Sequence, residues 1–162
     1  MIELLAAAEF ARTSALIAVA IWLSIAIGNN RKDRPTNIQL LGVMMRMELL
    51  KDEPVLGKNL KDRCIDNTKF PGKALTAIVH SQILIAGLLW IAAIFSALDW
   101  FHLTDPIYAK AAINVAVGSF FALWTFFLCG GLWFGYWIKT SHVQQVHFTL
   151  FIISLLLWQL AS

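Results

Sequence analysis

Four long runs of apolar residues, separated by polar segments, limit most strongly what this chain can fold into. The runs fall at about 5–28, 75–98, 111–137 and 144–161. A helix needs about 20 apolar residues to cross the hydrocarbon core of a bilayer, and it satisfies its backbone hydrogen bonds within its own segment. The runs therefore predict one membrane domain over residues 1–162, an all-α bundle of four transmembrane helices.

Composition and charge agree with a membrane protein. The chain is 59% hydrophobic and 14% charged, whereas soluble domains are closer to half apolar and a quarter charged. Its net charge of +3 comes from basic residues concentrated in one loop, which favours membrane topology over nucleic-acid binding. Cys64 lies in that polar loop and Cys129 in an apolar run, so we expect no disulfide.

The long polar segment at 29–74 carries a further helical pattern. Thr36 or Asn37 can cap a helix that runs to about Lys51. This helix is too short and too polar to span a bilayer. We therefore predict an amphipathic helix within the first loop that lies in the membrane interface or on the bundle.

Small residues at helical spacing predict close helix packing, because they let two backbones approach each other. The first run has small residues four apart, the third has a similar spacing, and a glycine pair follows near its end. The predicted packing positions are Ala20, Ser24, Gly28, Gly118, Gly130 and Gly131. Glu9 and Arg12 are three residues apart and can form an ion pair on one helix face; a proton or ion site is the alternative.

Aromatic residues mark the ends of the runs, as expected for side chains at the headgroup level. The predicted anchors are Trp100, Tyr108 and Trp158 at one interface and Trp133, Tyr136 and Trp137 at the other. Four spans place both termini on the same side of the membrane. The 29–74 loop has ten Lys and Arg residues and the 99–110 loop has one, which predicts a cytoplasmic long loop in a bacterial inner membrane.

Catalytic and metal-binding motifs are missing from the sequence, so we predict no catalytic residues, no metal and no enzyme. The polar residues within the runs leave two alternative functions open, transport and redox chemistry. A transporter or channel would use a polar path near His80, Gln82, Asn114 and Thr125. A redox subunit would hold haem or quinone through His80 and His147.

Two segments resemble a bacterial family of predicted small integral membrane proteins, a four-span domain of unknown function. Residues Asp66 to Gly72 are similar to the Asp-Thr-Thr-Phe-Pro-Gly-like segment before the family's second span, and His80 matches a histidine that follows. The later segment resembles the family's Gly-Gly-Glu-Trp-Phe-x-x-Trp pattern through Gly130, Gly131, Leu132, Trp133, Phe134 and Trp137, followed by Gln144 or Gln145 and Phe148.

This chain departs from the family pattern at its acidic positions. Leu132 stands where the family has an acid, and no acid occurs between Ile83 and Leu98. The family usually has a basic second loop, which would place the termini in the cytoplasm. In this chain most of the basic residues lie in the first loop and predict the opposite orientation. We therefore expect an accessory or structural subunit that contacts membrane lipids and packs against other membrane subunits or copies of itself, with bound lipids and no cofactor.

Overall fold

Six α-helices make up the part of the chain that the computed structural model describes, which is the backbone of residues 2–52 and 58–161 and the side chains of residues 7–52 and 59–160. The helices are α1 (Ile2–Lys32), α2 (Arg34–Met45), α3 (Lys58–Lys61), α4 (Phe70–Trp100), α5 (Pro106–Phe134) and α6 (Ser141–Ala161). Single 3₁₀ turns form at Glu48–Leu50 and Tyr136–Ile138. The predicted all-α fold class is confirmed.

Four of these helices have the length and the hydropathy that crossing a bilayer requires. They are Ala7–Lys32, Phe70–Trp100, Pro106–Phe134 and Ser141–Leu160. The third helix ends three residues before the predicted position 137. Gly135 is the physical reason, because its φ of 62° lies in the left-handed region that glycine adopts at the end of a helix.

The short helix of the first loop begins earlier than predicted. Neither Thr36 nor Asn37 is its N-terminal cap; Asp33 holds that position, and Pro35 occupies the first turn, where its missing N–H costs no hydrogen bond. The helix ends at Met45 rather than near Lys51. The chain turns there because Met47 takes a left-handed conformation with φ of 51°.

The membrane-length helices pack in sequence order. α1 lies against α4, α4 against α5, and α5 against α6, whereas α1 and α6 touch only sparsely. Buried residues of all four helices form one core, which includes Leu16, Leu23, Leu89, Ile113, Phe120 and Leu157. The bundle therefore has a loop end, where residues 33–52, residues 58–69 and the α5–α6 turn lie, and a far end, where residues 101–105 join α4 to α5.

Candidate functional site

A polar cluster joins α1 to α4 near the far end. Arg12 Nη2 donates to Asp99 Oδ2 at 3.2 Å, and Arg12 Nε donates to Ser96 Oγ at 3.3 Å. The Thr13 and Ser96 hydroxyls lie 2.7 Å apart and are buried. Arg12 therefore pairs with a carboxylate of the neighbouring helix and not with Glu9, so the predicted pair on α1 is wrong.

A second polar contact joins the same two helices at the loop end. Asn30 Nδ2 donates to Gln82 Oε1 at 2.9 Å, and Gln82 is only 4% exposed. Eighteen residues separate Arg12 from Asn30, which is about 27 Å along a helix and close to the roughly 30 Å of the hydrocarbon core. Gln82, predicted as part of a polar path, is thus used to fix α1 against α4.

The other residues of the predicted polar path do not converge. His80 is exposed, and its Nδ1 lies 2.7 Å from the Thr76 carbonyl oxygen of its own helix. Thr125 donates to the Phe121 carbonyl of its own helix at 2.9 Å. Asn114 is exposed and lies about 16 Å from Thr125 along α5. These side chains form no common interior surface.

The turn between α5 and α6 contains a histidine–tyrosine pair. The Tyr136 hydroxyl donates to the Phe127 carbonyl at 3.1 Å and lies 2.9 Å from His147 Nδ1. A carbonyl can only accept, so the single tyrosine proton points to Phe127, and His147 Nδ1 carries the hydrogen that is donated to the tyrosine oxygen. This contact fixes the ring of His147 at the start of α6.

Aromatic rings enclose His147. Its ring stacks on Phe127 with centroids 4.9 Å apart and lies 5.7 Å from the Trp124 ring. His80 contacts the carbonyl of its own helix instead of approaching this cluster. No group of three His, Cys, Asp or Glu side chains suited to a metal occurs among the described residues. His80 and His147 thus have separate hydrogen-bond partners, the Thr76 carbonyl and the Tyr136 hydroxyl.

The two glycines at the end of α5 have different surroundings. A Cβ on Gly131 would overlap the Gln144 amide and lie 2.9 Å from Tyr136 Cζ, whereas a Cβ on Gly130 would have no atom within 4 Å. Gln144 Oε1 has no hydrogen-bond partner among the described residues. Gly131 therefore provides close packing between α5 and the turn, whereas the Cβ position of Gly130 faces open space.

The predicted small-residue stripe of α1 divides between two faces. Ala20 is fully buried in the core, and Ser24 Oγ accepts a hydrogen bond from Trp90 Nε1 at 3.2 Å. Gly28 is exposed, with open space where a Cβ would stand.

Gly118 faces α6, where its Cβ position lies 4.0 Å from Trp158. Another stripe of α1 is exposed along its length, at Ala7, Ala11, Ser14, Ala18, Ile21, Ile25 and Gly28.

Aromatic anchors lie at both ends of the bundle. At the loop end, Trp137 is exposed, and Arg63 Cζ lies 4.9 Å above the exposed ring of Trp133. At the far end, Trp100 stacks on Phe101 with centroids 5.2 Å apart, and Tyr108 is exposed. These positions agree with aromatic side chains at the headgroup level.

Trp158 lies at a different level from the other predicted anchors of the far end. Its ring is 6.1 Å from Phe121 and contacts the position of Gly118. Gly118 is ten residues beyond Tyr108, which is about 15 Å along α5. The difference arises because α6 has 21 residues and α5 has 29, so α6 ends opposite the middle of α5.

Two grooves open on the outer surface of the bundle. The α4–α5 groove has a volume of about 710 Å³, with a floor of small residues and aromatic residues beside it, among them Ala77, Ser81, Ala122, Phe70, Phe126 and Phe134. The α1–α6 groove has a volume of about 600 Å³ and includes Ala18, Trp22, Val146, Thr149 and Ile153. Both grooves are concave surfaces on which a ligand or partner can bind.

Tyr136 provides a test of the α5–α6 turn, which lies outside the two flanking spans. Burial raises the pKa of Tyr136 to about 12, from the usual 10. An ultraviolet titration of the wild type minus that of Tyr136→Phe should therefore show phenolate forming near pH 12. Between pH 10 and 12 the unfolded chain loses this proton and the folded chain keeps it, so the free energy of unfolding should fall as pH rises. A midpoint near 10 would mean that the turn does not bury Tyr136.

Sequence reasoning missed the two polar pairs, Arg12–Asp99 and Tyr136–His147. The sequence contains a signal for the first pair. Arg12 lies near the start of the first apolar run and Asp99 at the end of the second, and antiparallel packing of α1 and α4 brings these two positions together. For the second, the spacing of 11 residues across a turn carries no helical periodicity. Only the position of Gly135 indicates where that turn lies.

A family model described as predicted small integral membrane protein (DUF2165) matches residues 8–160. No curated protein and no solved structure matches the chain. The family match covers nearly the whole bundle, from α1 to the last turn of α6, and agrees with the four membrane-length helices. It confirms the resemblance seen in the two sequence segments. The chain therefore belongs to this family of predicted small integral membrane proteins and is a multi-pass membrane protein.

Proposed function

We propose that this protein is a non-enzymatic accessory subunit whose first helix packs against a transmembrane helix of a larger membrane complex or of a second copy. The observation that carries the proposal is the exposed stripe of α1. It repeats with alternating steps of four and three residues, and most of its members are small, including Ala11, Ser14 and Ala18. Small residues at this spacing allow two membrane helices to approach closely.

The α1–α6 groove adjoins this stripe. Ala18 belongs to both surfaces, and the sparse contact between α1 and α6 leaves the bundle open on this side. A helix seated there would contact the small face of α1 and the apolar residues Val146 and Ile153 of α6. Packing of this kind drives helix association in lipid, where burial of apolar surface alone gives little.

The use of polar side chains inside the bundle supports a structural role. Thr13, Gln82 and Ser96 are buried and bonded to neighbouring helices. Ser119 and Ser154 donate to carbonyls of their own helices. The bonds between helices stabilise helix contacts, and both kinds of bond leave few donors or acceptors for a transported solute.

The charge distribution supports a bacterial inner membrane with the 29–74 loop in the cytoplasm. That loop carries ten of the 13 basic residues, and basic loops remain on the cytoplasmic side. Both termini would then face the opposite side. Labelling of exposed Cys64 by an impermeant thiol reagent should require the membrane to be opened, whereas labelling in intact cells would reverse this orientation.

Substitution on the stripe tests the proposed role. Ala18→Phe places a large ring where a partner helix would approach, so the affinity for the partner should fall at least tenfold, which corresponds to about 1.4 kcal/mol. The measurement is native mass spectrometry of protein extracted in mild detergent, which reports both the partner mass and the number of copies.

Gly87→Phe is the matched control, because Gly87 is an exposed glycine of α4 with no atom within 4 Å of its Cβ position. This variant should retain the complex. A wild-type protein that is a stable monomer after mild extraction and in lipid nanodiscs would contradict the proposal. Equal loss of the complex in both variants would also contradict it.

A further inference from the structure

We infer that the α4–α5 groove is a binding site for one anionic phospholipid, with an acyl chain in the groove and the phosphate near Lys73 and Arg63. The inference is independent of the proposed function, because it uses α4, α5 and the first loop rather than α1 and α6. Four observations support it: the shape of the groove, its apolar surface, the basic residues at its loop end and the ring that positions one of them.

The groove suits an acyl chain in length and chemistry. It extends along α4 from Phe70 to Ile85, which is about 22 Å and longer than the roughly 15 Å that one leaflet contributes to the hydrocarbon core. Small side chains such as Ala77, Ser81 and Ala122 leave room along its floor. A chain lying there would contact almost only apolar atoms.

Residues of the first loop line the loop end of the groove. Met45 from the end of α2 and Ile65 contribute to its lining. The Ile65 amide donates to the Met45 carbonyl at 2.9 Å, which ties this part of the loop to α2. A lipid in the groove would therefore meet folded loop residues at its headgroup rather than open solvent.

Basic side chains lie at this same end. Lys73 is exposed and immediately precedes Ala74, on the side of α4 that also presents Phe70 and Ala77 to the groove. Lys73 has no ion-pair partner among the described residues. The segment 61–73 contains four basic and two acidic residues. Its net charge of +2 complements a headgroup with a net negative charge better than a zwitterionic headgroup.

Trp133 positions the second basic group. Phe126 lines the groove, and Trp133 lies seven residues beyond it, a spacing that puts the two residues on the same face of α5. Arg63 Cζ lies 4.9 Å above the Trp133 ring, and Arg63 has no ion pair among the described residues. An arginine stacked on an aromatic ring keeps its N–H groups available, and the planar guanidinium can donate two hydrogen bonds to a phosphate.

The test compares two lipids with identical acyl chains. Purified protein in detergent is mixed with dioleoylphosphatidylglycerol or dioleoylphosphatidylcholine, and native mass spectrometry counts the lipids that remain bound. The wild type should retain one phosphatidylglycerol at least tenfold more strongly than phosphatidylcholine. Lys73→Gln and Arg63→Gln should each lower this preference at least threefold. The loss should be larger for phosphatidylglycerol than for phosphatidylcholine, because both lipids carry the phosphate but only phosphatidylglycerol has a net negative charge.

Two variants keep the test decisive. Ala122→Phe fills the floor of the groove and should reduce retention of both lipids, while the complex that Ala18→Phe disrupts should persist. Lys110→Gln removes a basic residue at the far end and should leave the lipid preference at the wild-type value. Equal retention of the two lipids by the wild type would overturn the inference, as would an unchanged preference in the Lys73 and Arg63 variants. If Ala122→Phe lost a protein partner and retained both lipids as the wild type does, the groove would bind a helix of that partner. This result would also overturn the inference.

Discussion

Gly131→Leu should destabilise the bundle by about 3 kcal/mol, because it overfills a closely packed turn. A Cβ at this position would lie 2.9 Å from Tyr136 Cζ and would overlap the Gln144 amide. Gln144 can move without losing a hydrogen bond at its Oε1, which has none among the described residues. Tyr136 cannot move as cheaply, since its hydroxyl contacts both Phe127 and His147.

The neighbouring glycine supplies the control. Gly130→Leu adds a side chain where no atom lies within 4 Å, and leucine is a better helix former than glycine by about 0.5–1 kcal/mol. The two variants should therefore change stability in opposite directions although they differ by one position. Thermal unfolding in detergent, followed by tryptophan fluorescence, measures both. A Gly131→Leu protein as stable as Gly130→Leu would show that α5 and the turn do not pack as described.

The general fold could be predicted from the sequence because hydropathy and length decide which segments cross a bilayer. The end of α5 could not, since apolar residues continue through Trp137 and Ile138 while Gly135 alone ends the helix. Hydropathy does not detect a change of backbone conformation. The start of α2 was missed for a similar reason, because Pro35 fits the first turn of a helix as well as it separates two helices.

The orientation of each helix face was harder to predict than the helices themselves. Small residues at 20, 24 and 28 form a regular stripe, yet only Ala20 enters the core, and Ser24 instead accepts a bond from Trp90. In a membrane span both faces are apolar, so the amphipathic pattern that orients a helix in a soluble protein is weak. The polar residues were misassigned for the same reason: whether Gln82 lines a path or contacts Asn30 depends on how α1 and α4 pair.

The ion pair between α1 and α4 should contribute more to stability than any other single polar contact between these helices. The side chains of Arg12 and Asp99 are 21% and 14% exposed, so either charge is poorly hydrated once its partner is removed. Breaking a buried pair in this way costs about 3 kcal/mol. Arg12→Leu should approach that value, because the short side chain of Asp99 remains at the contact with α1 and lies at the C-terminal end of α4, where the helix dipole disfavours a negative charge.

Asp99→Leu should cost less, about 1–2 kcal/mol, because the long side chain of Arg12 can extend to the headgroups. The double variant should be more stable than Arg12→Leu alone, because it also removes the unpaired carboxylate of Asp99. The coupling energy, calculated from the wild type, the two single variants and the double variant, should be about 2 kcal/mol. Arg31→Leu, at an exposed position at the other end of α1, should change stability by less than about 0.5 kcal/mol. Strictly additive effects of the Arg12 and Asp99 substitutions would show that the two charges do not interact across the helices. The stability of the far end would then rest on the Thr13–Ser96 contact and the surrounding apolar packing.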